Sequence, residues 1–109
     1  MTLTDQLKRL AEREPERFRV YEDREVFAMI KGCCDLPPSS DDCDEIAAEL
    51  GFVIEVRFDP YAPGGVMYEA YLFGPNMEEA ERLHPNQSTK LLATRAGLER
   101  AIELYLEGK

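Results

Sequence analysis

Three cysteines, Cys33, Cys34 and Cys43, lie among carboxylates in the stretch KGCCDLPPSSDDCDEIAAELG, residues 31–51. Thiolates and carboxylates are common metal ligands, so metal chemistry is the first to weigh. A structural zinc site needs four ligands in a tetrahedron, usually from paired C-x2–4-C arms. Adjacent Cys33 and Cys34 are poor chelate partners because neighbouring side chains diverge, and a fourth ligand would have to come from His84 or a nearby aspartate. The DDCDE run suggests calcium only superficially, because the EF-hand loop requires a central glycine and a late bidentate glutamate. No metal and no cofactor are expected.

Thiol chemistry is the alternative use of the cysteines. A reactive thiolate needs cationic neighbours or a helix N-terminus to lower its pKa. Cys43 falls in the first turn of an expected helix, which helps, but Asp41, Asp42, Asp44 and Glu45 surround it. A disulfide from Cys43 to one of the vicinal pair is conceivable across the loop, yet unusual in a reducing cytosol. Free, partly buried thiols are the expected state.

The carboxylates carry the stronger signal. Residues 35–50 hold Asp35, Asp41, Asp42, Asp44, Glu45 and Glu49 and no base, in a chain of 22 acids, 13 bases and net charge −9. Acids at a helix N-terminus cap its free amides and complement its dipole. Beyond that, a concentration of one sign can steer a basic protein partner. The same balance argues against nucleic acid, whose phosphates call for Lys and Arg, and against anionic membrane surfaces. The sole histidine, His84, sits in LHPNQST with Ser88 nearby. A Ser–His pair needs convergence in space and a third orienting group, and no phosphate loop, nucleophile elbow or dinucleotide fingerprint accompanies it. No catalytic residue is expected.

The elements that must hold these residues follow from periodicity. Leu3, Leu7, Leu10 and Ala11 mark a helix over 3–14 with Thr2 and Asp5 as a capping box, ended by Pro15. Residues 16–30 read as a hairpin, with a continued helix as the alternative because EDRE offers no Gly or Asn turn. Gly32–Ser40 reads as loop, and Ser40 or Asp42 caps a helix over 41–50 that ends at Gly51. Alternation in FVIEVRFD (52–59) and VMYEAYLF (66–73) gives a second hairpin turned by PYAPGG. Tyr71 and Phe73 share one face of it and Tyr68 the other, so one face could be core and the other an interface. Asn76 and Glu79 suggest a short helical turn through Leu83, followed by loop. A last helix over 94–107 buries Leu98, Ala101, Ile102, Tyr105 and Leu106.

Residues 1–109 thus read as one α+β domain, a small antiparallel sheet with hairpins near 17–30 and 52–73 and helices packed on it. No run approaches the ~20 apolar residues of a membrane span, and MTLTDQLKRL has no signal-peptide pattern, so a cytoplasmic location is expected. In ELGFVIEVRFDP…VMYEAYLF followed by ATRAGLERAIELYLE, the chain resembles small bacteriophage and prophage proteins of the ABA-sandwich kind. The resemblance covers residues 43–73 and 94–107, departs over 77–93, and implies a fold without an assigned activity or site residues. The leading expectation is a non-catalytic accessory or regulatory protein, encoded by a phage or mobile element, that binds a protein partner. Asp35, Asp41, Asp42, Asp44, Glu45, Tyr68 and Tyr71 are its contact candidates, with homo-oligomerisation left open. The second reading is a thiol- or metal-dependent protein on Cys33, Cys34 and Cys43. The third is a small enzyme with His84 as general base.

Overall fold

A computed structural model describes residues 2–75 and 77–108. Its elements run α1 (Leu3–Arg13), β1 (Phe18–Tyr21), β2 (Val26–Met29), β3 (Gly32–Asp35), α2 (Ser40–Glu49), β4 (Val53–Phe58), β5 (Tyr68–Phe73), β6 (Glu81–Gln87) and α3 (Lys90–Glu107). The strands form two three-stranded antiparallel sheets, β1-β2-β3 and β4-β5-β6. The α+β architecture is therefore as the sequence suggests, with two small sheets in place of one.

At α1 the capping box forms as spaced. The Thr2 hydroxyl accepts from the Asp5 amide, and the Asp5 carboxylate accepts from the Thr2 amide, each at 3.2 Å. The following hairpin closes without glycine because Glu25 itself takes a positive φ of 53°, a conformation non-glycine residues adopt uncommonly. Phe18 and Phe27 then stack at 5.8 Å between ring centroids.

Three expectations need correction. Gly32–Asp35 is not loop but strand β3, pairing with β2 in the register Phe27↔Cys34, until Pro37 and Pro38 end the ladder. The expected turn through Leu83 and the loop after it are strand β6, Glu81–Gln87. This strand lies at a sheet edge, where Pro85 is tolerated because its missing N–H can face solvent. The proposed cap at Asn76 lies outside the described residues. α3 also begins four residues earlier than Thr94, since Thr89 is the N-cap, its hydroxyl accepting from the Leu92 amide at 3.1 Å. Thr94 is buried within the helix and returns its hydroxyl proton to the Lys90 carbonyl at 2.8 Å.

α3 is the central element. One side lies on the inner face of β4-β5-β6, and the other packs against α1 and α2. Buried Leu7, Leu10, Phe18, Phe27, Ile46, Leu72, Leu98 and Ile102 join in one apolar cluster that draws on both sheets and all three helices. A polar clasp holds the helices at one end. Arg17 donates to Glu14 at 2.9 Å, to the Tyr105 hydroxyl at 2.7 Å and to the Glu49 carbonyl at 2.9 Å, linking the ends of α1, α2 and α3.

Candidate functional site

The N-terminal half of α2 carries most of the acids singled out above. Ser39, not Ser40 or Asp42, is the N-cap: its hydroxyl accepts from the Asp42 amide at 3.2 Å, and Asp42 accepts from the Ser39 amide at 3.4 Å. Asp42 is therefore partly committed to the fold. Asp41, Asp44 and Glu45 project from α2 into solvent, and Asp35 stands exposed at the end of β3.

Charge pairing is uneven across the protein. Salt bridges among the described residues use Glu14, Glu22, Asp23, Glu49, Glu55, Glu69, Glu81 and Glu103. Among the described residues none forms with Asp35, Asp41, Asp42, Asp44 or Glu45. Of the acids between 35 and 50, Glu49 at the far end of α2 is the one that forms salt bridges among the described residues, with Arg17 at 3.9 Å and Lys31 at 3.4 Å. The Asp44 carboxyl is held above its ordinary pKa, first by partial burial and then by Asp41, with Lys90 opposing. Negative charge is thus gathered on the first turns of α2, with Lys90 near Asp44 but no salt bridge to these acids among the described residues.

The cysteines are arranged for packing. Cys33 is exposed, whereas Cys34 and Cys43 are buried, and all three are free thiols. Burial raises the Cys34 pKa to about 11, with Asp42 and Cys33 adding to it. Burial likewise raises Cys43 to about 12 against a lowering by Arg95. The helix N-terminus expected to activate Cys43 is outweighed, because desolvation of a thiolate costs more than a partial dipole returns. The Cys43 thiol faces the Pro38 carbonyl, which accepts two hydrogen bonds from Arg95 at 3.1 and 3.0 Å. No group of three or more His, Cys, Asp or Glu side chains among the described residues could hold a metal ion.

Tyr68 and Tyr71 fall on opposite faces of β5 and do not form one surface. Tyr68 packs against Phe58 at 5.4 Å between centroids. Tyr71 belongs to a mesh on the outer face of the second sheet. There Arg57 lies 4.5 Å over its ring, its hydroxyl donates to Glu69 at 3.2 Å, and Arg82 donates to the same carboxylate at 3.2 Å. No hydrogen bond or ion pair joins either tyrosine to the acids of α2 among the described residues. His84 is exposed on β6, and among the described residues no hydrogen bond or ion pair joins it to Ser88 or to a carboxylate. A groove of about 750 Å³ between α1 and β1, lined by Lys8, Pro15, Val20 and Tyr21 among others, contains neither His84 nor a cysteine.

No family model, no curated protein and no solved structure matches the chain. The site is accordingly read from its own geometry. Sequence reasoning passed over the Arg57–Tyr71–Glu69–Arg82 mesh and the clasp at Arg17. The alternation Glu55–Val56–Arg57 was a legible sign of the first. Nothing in the spacing of Arg17 announces the second.

Proposed function

We propose that the protein is a non-catalytic accessory or regulatory factor that binds a basic protein partner through Asp35, Asp41, Asp44 and Glu45. The observation that carries this reading is concentration: Asp41, Asp44 and Glu45 stand exposed within five residues of one helix, and among the described residues no salt bridge engages them. Like charges held together repel, at a cost that a partner's Lys and Arg side chains relieve on contact. Their arrangement also favours fast, salt-sensitive association. Asp42 supports the surface by accepting from the Ser39 amide in the capping box of α2. The likeness to small phage and prophage proteins belongs to the same proposal and would make the partner a component of the host or of the mobile element.

Cys34 and Cys43 lend the thiol reading no support, since both are held protonated well above neutral pH. The test is partner capture from the native host with two triple variants of equal charge change. Asp41→Asn, Asp44→Asn and Glu45→Gln together should weaken capture strongly. Glu12→Gln, Glu16→Gln and Glu79→Gln, exposed acids elsewhere, should leave it intact. Equal loss in both would show that only total charge matters, and no loss in the first would reject the reading.

A further inference from the structure

The second sheet has an edge that is open to another strand. β4 is its outer strand, six residues reading VIEVRF, paired on one side only with β5. The direction of its free backbone groups follows from the ladder. The Asp59 amide donates to the Met67 carbonyl, continuing the register Val53↔Phe73 to Phe58↔Tyr68. Antiparallel pairs alternate in bonding, so Val53, Glu55 and Arg57 bond β5 while Ile54, Val56 and Phe58 turn their N–H and C=O groups outward. Among the described residues no hydrogen bond receives those outward groups.

Natural sheets usually blunt such an edge with proline, lysine, a bulge or a very short strand. The opposite edge does so, for β6 carries Pro85 and a register shift between Tyr68 and Ala70. The outer strands of the first sheet have only four residues each. β4 has no proline, lysine or bulge and is six residues long; the charges it carries, Glu55 and Arg57, are of opposite sign, and Phe58 at its end is 58% exposed.

We infer that a second copy of the chain pairs antiparallel along β4, with a twofold axis at Val56. In that register Val56 meets its own counterpart and Ile54 meets the second copy's Phe58, joining the outward backbone groups and covering an exposed ring. Glu55 then stands directly opposite the second copy's Arg57, twice over by symmetry. These are the non-bonded positions, where facing side chains come closest. The neighbouring registers that use the same outward groups centre on Glu55 or Arg57 and set like charges against each other. Charge therefore selects one register, and an isologous pair of this kind closes on itself. The product is a continuous six-stranded sheet.

The test is light scattering across a concentration series at ~0.15 M salt, where screening at about 8 Å limits repulsion between two acidic copies. The wild type should reach twice the 12.4 kDa chain mass. E55R and R57E alone each present two like charges and should remain single chains. Mixed in equal amounts they should form a heterodimer, because each Arg then faces a Glu. A second measurement keeps the intrachain ion pair and so does not depend on the folding of either single variant. The double swap E55R/R57E should dimerise with itself but not exchange with wild type. A wild type that stays at single-chain mass, a single variant that dimerises as wild type does, or free exchange between wild type and the double swap would overturn the inference.

Discussion

Gly97→Ala is the substitution for which two ordinary effects oppose each other and the geometry decides. Gly97 lies in α3, buried against β4, and a Cβ there would sit 2.6 Å from Cγ2, 3.0 Å from Cγ1 and 3.2 Å from Cδ1 of Ile54. Helix propensity alone favours Ala over Gly by about 1 kcal/mol. The clash opposes it: Ile54 is β-branched within a strand, its χ1 has little freedom, and two of the crowded atoms are attached directly to its Cβ. Overpacking of this kind costs about 1–3 kcal/mol. The clash wins, for a net loss of about 1 kcal/mol. In a domain of this size that is a fall of about 4–8 °C in Tm, readable by circular dichroism. Ile54→Ala removes all three atoms, so in that background Gly97→Ala should become stabilising by about 1 kcal/mol. A Gly97→Ala protein at or above wild-type stability would refute the close approach of α3 to β4.

Other consequences follow from the caps, thiols and clasp. Ser39→Ala removes the oxygen that accepts the Asp42 amide and should cost about 1 kcal/mol in urea unfolding. In the native protein at pH 8, Cys33 should react readily with a thiol reagent, while Cys34 and Cys43 should react only after denaturation. Those two thiols also set an alkaline limit. Their folded pKa values, about 11 and about 12, stand above the ordinary 9.0. The unfolded chain therefore releases these protons first, so their contribution is fully present below pH 9 and is lost as pH rises from there towards 12. Stability in a pH titration should fall over that window, and less steeply in a Cys43→Ala variant. Arg17→Met leaves Glu14, Tyr105 and the Glu49 carbonyl short of a shared donor and should cost about 1–3 kcal/mol, again by denaturant titration.

Legibility in the sequence tracked how local the cause was. The α1 capping box and the β4-β5 hairpin were readable because a cap is spaced by three residues and a half-buried strand by two. β3 was missed because four residues, GCCD, are too few to show a period before the proline pair. β6 was missed because ERLHPNQ carries little apolar alternation, and a proline inside it reads as a break unless the strand is known to be an edge. The hairpin turn at 22–25 depended on Glu25 taking a positive φ, which its residue type does not advertise. At the candidate site, the acids of α2 were visible from composition. Their lack of salt bridges among the described residues was not, since that depends on where α1, α3 and the sheets send their Arg and Lys side chains. The opposite faces of Tyr68 and Tyr71 followed from strand parity. The mesh that engages Tyr71 required the register of β5 against both neighbours.

The salt dependence of partner capture bears most directly on the acidic surface. Wild-type affinity should fall steeply as salt rises, while the Asp41→Asn, Asp44→Asn, Glu45→Gln variant should bind weakly and with a shallow slope. Capture by wild type that is indifferent to salt, or a variant that keeps both affinity and slope, would contradict the account.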